Sequence, residues 1–300
     1  MRDLIGWIDR TRPVVASVIR NICKGEGIGR LRAVNTLFDA DKIVHNFSNM
    51  NAAFLNVELK QGDGPATQLP VGPELTMPPE YSAWTTKRAV TSMLVLKNGK
   101  IAHQSYYQGT GPDDRRISWS VAKSYMSALF GILVDEGAIT SLDDPVTRYV
   151  PRLIGGAYDG ASVRDVLQMS SGIAFDEDYL SYDSDINQMG RVLALGGKMD
   201  DFASGLTKTI AHAGQQWQYT SIDTHVVGMI ARGATGRNIT DLMSEKIVSK
   251  LGQEQAPYYV TDGDGVAFVL GGLNITTRDY ARFGQMILQD GQWNGEQVVT

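Results

Sequence analysis

The stretch SWSVAKSYMSALFGILVDEG, residues 118–137, restricts what this chain can fold into more than any other. From Tyr125 to Val134 it reads YMSALFGILV, with Ser127 the only small polar residue. Each large apolar side chain gains about 1.5–3 kcal/mol on full burial, so such a run belongs inside a core. The spacing predicts a buried helix over 120–136 that stops at Gly137. Lys123, at the head of that segment, is the anomaly. An amine beside so much apolar surface costs free energy unless its position yields something.

Around this segment the chain reads as an α+β body. AVTSMLVLKNGKIAHQSYY sets two β-rich runs around Asn98-Gly99, a strong hairpin signal. From 141 to about 255 the signals are mostly helical. Asp143-Asp144-Pro145 reads as a cap followed by Pro in the first turn. Ser162-Val163-Arg164-Asp165 reads as a capping box, with Asp in place of Glu, opening a helix that runs to Gly172. ITDLMSEKIVSK, residues 239–250, is amphipathic. PYYVTDGDGVAFVLGGLNI returns to strand and turn character, and TTRDYARFGQMILQDG predicts a last helix with Tyr280, Phe283 and Ile287 on one face.

Residues 1 to about 89 show less pattern: a helix near the start, then GEGIGR at Gly25–Arg30. That hexapeptide is not a GxGxxG and reads as a turn rather than a phosphate cradle. QGDGPATQLPVGPELTMPPEY reads as an extended segment that wraps the body. The order of strands, helices and strands again favours an α+β fold with a helical insertion. The expected units are a lead-in at 1–89, a discontinuous α/β subdomain at 90–137 and 260–300, and a mainly helical subdomain at 138–259.

The chain has 300 residues, 43% hydrophobic and 20% charged, enough to bury a sizeable core. A net charge of −5 argues against nucleic acid as a partner. One cysteine, Cys23, excludes a disulfide framework within the chain. The four histidines (His45, His103, His212 and His225) form no HExxH, and neither metal nor other cofactor is expected. No segment approaches the roughly 20 apolar residues of a membrane span. MRDLIGWIDRTRPVV, broken by Asp3, Asp9, Arg10 and Arg12, does not read as a secretory signal, so a cytoplasmic location is expected.

Ser120 and Lys123 stand in an S-x-x-K spacing, and residues three apart on a helix share a face. A serine hydroxyl is a poor nucleophile unless a neighbouring base takes its proton. A lysine serves as that base only when uncharged, and apolar burial lowers its pKa to that end. The helix N-terminus adds N–H donors and partial positive charge, which suit an oxyanion at the acylated serine. By itself S-x-x-K is a weak signal, because Ser often caps helices and Lys often lies on surfaces. Its place, opening a buried helix directly after a hairpin, is the context the chemistry requires.

A proton relay to the leaving group needs a further residue. AGQQWQYTSIDTHVVGMI sets Tyr219, Thr220 and Ser221 ahead of an apolar helix, Val226 to Ala231. A tyrosine acts as base or acid where an ammonium favours its phenolate, although an isolated tyrosine is usually a half-buried aromatic. Asp223 and His225 invite a triad with Ser120. The chain has no G-x-S-x-G, however, and residues two apart are too close in sequence for ready mutual orientation. Asp176, Glu177, Asp178, Asp183 and Asp185 make the 176–187 loop acidic. A cationic amine could dock there, but a solvated loop is the commoner use of such a run.

SWSVAKSYMSALFGILVDEGAITSLDDPV resembles the active-site helix of the penicillin-recognising serine hydrolases: class C β-lactamases, D-alanyl-D-alanine carboxypeptidases and their esterase relatives. VRDVLQMSSGIAFDEDY resembles the family's RDLLxHTSG segment, with Met169-Ser170-Ser171-Gly172 at its turn. GGLNITTRDYARFGQMILQDGQWNG resembles the helix and turn before the family's final strands. SWSVAKS, DEDY and HNFSNM (His45–Met50) are most similar to the branch holding 6-aminohexanoate-dimer hydrolase and related esterases.

The resemblance covers roughly 90–300, and 40–60 loosely. It implies a β-lactamase/transpeptidase-like fold, an antiparallel sheet flanked by helices. It implies Ser120 as the acylated nucleophile, Lys123 as its proton partner and Tyr219 as the second-motif base. The Ser120 N–H becomes half of the oxyanion hole. Tyr179 is the matching residue for leaving-group assistance, with Tyr182 on the same loop as the other candidate, and Ser221 and Trp217 lie in reach of substrate. The implied activity is hydrolysis of carboxylic esters or small linear amides through an acyl-enzyme. The alternatives are a carboxypeptidase, penicillin-binding protein or β-lactamase, and an inactive binding relative. Two departures stand out. The family's Y-x-N has Ser221 at its third position, and WNGEQVVT comes before the expected place of the third motif, K-T-G or its His-containing equivalent, so a fragment of a longer protein is expected.

Overall fold

The computed structural model describes residues 26–300, and the helix expected near the start lies outside them. GEGIGR is not a turn over its described part: α1 (Glu26–Asn35) is helical through both Gly27 and Gly29. It packs against the short helix Met50–Ala53, and that tertiary contact overrides the poor helix propensity of glycine.

Strand β1 (Asn56–Glu58) follows, then an extended stretch that bridges to the body. Its Gly72 and Leu75 donate backbone N–H to Ile101 and Ala102 at 2.9 and 2.7 Å. After helix α2 (Tyr81–Lys87) comes the hairpin of β2 (Ser92–Lys97) and β3 (Lys100–Tyr106). Asn98 and Gly99 take φ of 53° and 73°, the pair of positive values that a two-residue hairpin turn demands. Strand β4 (Arg116–Ile117) leads directly into α3 (Val121–Asp135), the helix predicted from the apolar run, and Gly137 ends it at φ 77°.

The middle of the chain is helical. The capping box forms as expected, with Ser162 and Asp165 exchanging bonds at the head of α4 (Val163–Leu167). That helix stops at Leu167, five residues short of Gly172. Met169 turns to φ 53°, and the Ser170 N–H folds back on the Asp165 carbonyl at 2.7 Å. Helices α5 (Asp185–Ala194), α6 (Met199–Ser204) and α7 (Ser221–Thr235) complete this block. Every α7 residue from Ser221 to Ala231 is buried, and α7 packs against both α3 and α4. A helix enclosed on all sides is a core helix, and it can present a residue at its head without wobble.

Strands β5 (Tyr258–Val260) and β6 (Leu273–Ile275) then close a four-stranded antiparallel sheet in the order β1-β5-β6-β4. Val57 sits opposite Tyr259, Tyr259 opposite Leu273, and Ile117 opposite Asn274. The last helix, α8 (Thr277–Leu288), packs on β2 and precedes a small hairpin, β7 (Gln292–Trp293) with β8 (Glu296–Gln297). Of the expected face, Phe283 is buried and Tyr280 packs against the core, but Ile287 is 47% exposed. Asp279, Arg282 and Met286 are buried beside Phe283, the first two as an ion pair that the apolar pattern does not reveal.

Candidate active site

Ser120 is presented by a strained junction between β4 and α3. Ser118 still belongs to the sheet, donating its N–H to Leu273 at 2.7 Å. Trp119 takes φ 43°, in the left-handed region that costs a non-glycine residue about 1 kcal/mol or more. Its ring is fixed by Phe47 at 5.4 Å and Phe38 at 5.9 Å, both from the segment before β1. Ser120 then occupies the cap position of α3, yet its side chain makes no capping bond. The ordinary use of a serine at a helix head is therefore unmet here. Its hydroxyl lies instead 2.8 Å from Tyr219 Oη, and Lys123 Nζ donates to it at 3.1 Å. Ser120 is exposed, and its own N–H has no protein acceptor among the described residues.

Lys123 is held in place by a second bond, to the Leu270 carbonyl at 2.8 Å, and its ammonium lies 5.3 Å from the Tyr219 ring centre. Burial pushes its pKa down, and the bond and charge of Tyr219 and the charge of Glu177 oppose this only in part. Tyr219 moves the same way for a different reason. Burial pushes its phenol up, but hydrogen bonds with Ser120 and Lys123 and the lysine charge bring it below its ordinary value. Both groups are thus held below their ordinary values, and each acts on the other.

The remaining expected residues divide. Ser221 and Tyr179 meet on Glu177, which sequence reasoning placed only in an acidic loop. Glu177 accepts the Ser221 backbone N–H, the Ser221 hydroxyl at 3.2 Å and the Tyr179 hydroxyl at 3.0 Å. It therefore caps α7 from outside, where a carboxylate is favoured by the helix dipole. Tyr179 is largely exposed, yet partial desolvation of its phenol and then the Glu177 charge push its pKa up to about 12. Tyr182 turns away onto Arg191, whose guanidinium lies 4.0 Å from its ring. Trp217 is 68% exposed and makes no hydrogen bond among the described residues. The sequence signals for Glu177 were its place in the acidic loop and in the DEDY stretch, and neither points to α7. Ser221, the partner of Glu177, lies 44 residues further on.

Three of the other four loop carboxylates are occupied locally. Asp185 accepts the Asp176 N–H, Asp176 that of Asp178, and Asp178 that of Leu180. The triad discounted from sequence is absent. His225 Nε2 pairs with Asp200 at 2.8 Å, and Asp223 takes hydrogen bonds from Tyr158 and Ser171. A cavity of about 530 Å³, lined in part by Phe175, Asp185, Leu206, Lys208 and Gln218, includes none of Ser120, Lys123 or Tyr219. Among the described residues no group of three or more His, Cys, Asp or Glu could hold a metal ion. No described helix is long and apolar enough to cross a membrane.

Comparison with known proteins agrees with the fold. The model of the beta-lactamase family matches residues 82–299. The 6-aminohexanoate-dimer hydrolase of Paenarthrobacter ureafaciens is 33% identical over 227 residues, 74% of this chain and 58% of that protein. The chain thus spans just over half the length of that relative. A Bacillus anthracis structure provisionally named as a 6-aminohexanoate-dimer hydrolase superposes with a TM-score of 0.78 at 22% identity, over 88% of this chain and 73% of the other. A class C beta-lactamase superposes with a TM-score of 0.56 at 21% identity, over 73% and 65%.

Proposed function

Since the chain belongs to the beta-lactamase family, we propose that it is a serine hydrolase that works through an acyl-enzyme on carboxylic esters or small linear amides. One observation carries the reading: Ser120 Oγ lies within hydrogen-bond reach of both Lys123 Nζ and Tyr219 Oη, at 3.1 and 2.8 Å. In this reading Ser120 Oγ attacks the substrate carbonyl carbon, and its proton passes to the Lys123–Tyr219 pair. The carbonyl π electrons move onto oxygen, where the Ser120 N–H at the head of α3 stabilises the oxyanion. Collapse of the tetrahedral intermediate breaks the bond to the leaving alkoxide or amine, which takes the proton from Tyr219. Water then attacks the acyl-serine by the same steps, giving the acid and restoring the hydroxyl.

The names of the relatives favour amides. One is a 6-aminohexanoate-dimer hydrolase and another, from Streptomyces, a D-stereospecific amidohydrolase with a TM-score of 0.50. The site itself serves either class, because acyl transfer to serine uses the same groups for both.

The test is covalent labelling with a fluorophosphonate, followed by peptide mapping and steady-state turnover of p-nitrophenyl acetate and an aminohexanoate dimer. Label is expected on Ser120, and Ser120→Ala is expected to lose at least about a thousandfold in kcat. Undiminished turnover in that variant would refute the assignment. Absence of any burst or label in the unmodified protein would favour a binding role, and stable acylation by a labelled penicillin would move the substrate class towards peptidoglycan stems.

A further inference from the structure

Asp223 lies in the first turn of α7, just after Tyr219 and Ser221, and is fully buried. Its Oδ1 accepts two hydrogen bonds, from Tyr158 Oη at 2.7 Å and from Ser171 Oγ at 2.9 Å. Its Oδ2 has no partner among the described residues. An ionised carboxylate here would hold half its charge against dry surroundings with nothing donating to it. A neutral acid in the same place leaves one uncharged O–H donor unmet, which costs less than a buried unpaired charge.

The basic side chains on neighbouring elements are committed elsewhere. Lys123 on α3 bonds Ser120 and the Leu270 carbonyl, Arg148 bonds Asp144, and Arg232 and His225 on α7 bond Asp200 of α6. Asp165 on α4 is taken up by the Ser162 capping box, and Tyr149 donates to Asp144. Apart from its donor Tyr158, the titratable group acting on Asp223 is Glu177, a like charge.

The position gives this acid leverage. Ser171 belongs to the Ser170–Gly172 turn, from which the chain runs straight to Glu177. That loop is thus tied to α7 twice within the residues Ser221–Asp223, once through Ser171 on Asp223 and once through Glu177 on Ser221. Resting on the serine-hydrolase reading of the site, we propose that Asp223 is a positioning residue that works as a neutral carboxylic acid. It holds the Ser171 turn against α7, so that Glu177 stays on Ser221 and Tyr219 stays on Ser120.

Burial drives the Asp223 carboxyl up to about 7, past the downward pull of its bonds from Tyr158 and Ser171, and the Glu177 charge adds to the rise. Above that pH the side chain ionises with Oδ2 unpaired. The strain is relieved by water entry and release of the Ser171 turn, which takes the support of Tyr219 with it.

Asp223→Asn tests this, because the amide copies the neutral acid and cannot ionise; Asp223→Ala removes the acceptor altogether. The quantity read is the ratio of variant to parent kcat/KM for p-nitrophenyl acetate across pH, which cancels the titration of Lys123 and Tyr219. For Asp223→Asn the ratio is expected to stay near one well below neutrality and to climb towards about tenfold per pH unit above it. Asp223→Ala is expected to be impaired at every pH. A flat ratio for Asp223→Asn, or a folded Asp223→Asn protein that is inactive throughout, overturns the proposal.

Thermal unfolding against pH supplies an arm that needs no turnover. A carboxyl whose folded pKa is raised loses stability as pH climbs from the unfolded carboxyl range to about 7, and no more beyond it. The melting temperature of Asp223→Asn minus that of the parent should therefore widen over that interval; a constant gap sinks the neutral-acid assignment. If the parent shows no turnover while the gap widens, the serine-hydrolase reading fails and the protonation state of Asp223 stands.

Discussion

Lys123 answers two opposed demands, and in the proposed reaction the balance between them sets its readiness to take the Ser120 proton. Burial favours the uncharged amine, whereas the hydrogen bond and partial charge of Tyr219 favour the ammonium. Removing the phenol hydroxyl in Tyr219→Phe therefore has a predictable sign. The groups that raise the Lys123 pKa are weakened while burial remains, so the amine becomes more acidic. The acid limb of kcat/KM should move to lower pH even as kcat falls by about 10²–10⁴, the range for loss of a proton-transfer group. A pH–rate profile on a p-nitrophenyl ester measures both, and an acid limb shifted upward would show that the limb belongs to another group. Ser120 and Lys123 were legible in the sequence because both lie within one helical turn. Tyr219 lies 99 residues from Ser120, and only the resemblance of its motif joined them. Glu177 was missed because a carboxylate capping a distant helix looks, in sequence, like any acid in a polar loop.

Among the elements, the turn at Met169–Gly172 joins the loop to α7 through the Ser171–Asp223 bond, and its glycine is hard to replace. Gly172 sits at φ 75°, and a Cβ there would come within 2.4 Å of the Ala211 carbonyl oxygen. Gly172→Ala should cost about 1–3 kcal/mol for the backbone conformation alone, with the clash adding to it, as read by urea unfolding. Gly131, inside α3, is the opposite case. A Cβ there meets nothing within 4 Å, and Gly131→Ala should stabilise the protein by up to about 1 kcal/mol. Equal effects at the two positions would contradict this account of the turn. The same contrast explains what could be read in advance. The Asn98-Gly99 hairpin, the Ser162 capping box and the apolar helix each follow from residues within a few positions of one another. The early end of α4 could not be read, because it depends on Ser170 reaching back to Asp165 and on a non-glycine residue, Met169, in the left-handed region.

At the level of the whole molecule, the question is what fastens the extended segment after β1 to the body that carries the site. Composition disclosed the extended conformation, since Pro and Gly punctuate it, but not its anchor. Beside the backbone bonds of Thr67, Gly72 and Leu75, the segment is anchored by the side chain of Arg282, a residue an amphipathic helix would ordinarily leave in solvent. It is fully buried. Its Nη1 donates to Asp279 at 2.7 Å, its Nη2 to Glu254 at 2.7 Å, and Nε and Nη2 both donate to the Thr67 carbonyl at 2.9 and 2.6 Å. One guanidinium thus joins α8, the stretch before β5 and the extended segment, and its five fixed donors suit it to that task where a lysine would not. Asp279 is itself fully buried, and burial raises its pKa despite the bonds it receives. Arg282→Met would leave that carboxyl without its cation, at a cost of about 3–5 kcal/mol in unfolding free energy. Adding Asp279→Asn to Arg282→Met should recover part of the loss, because the stranded charge is then gone. If the double variant is no more stable than Arg282→Met, the three-way fastening rather than the buried charge accounts for the cost. Limited proteolysis separates the two, since loss of the fastening exposes the segment around Thr67 to cleavage while the hairpin and α3 stay protected.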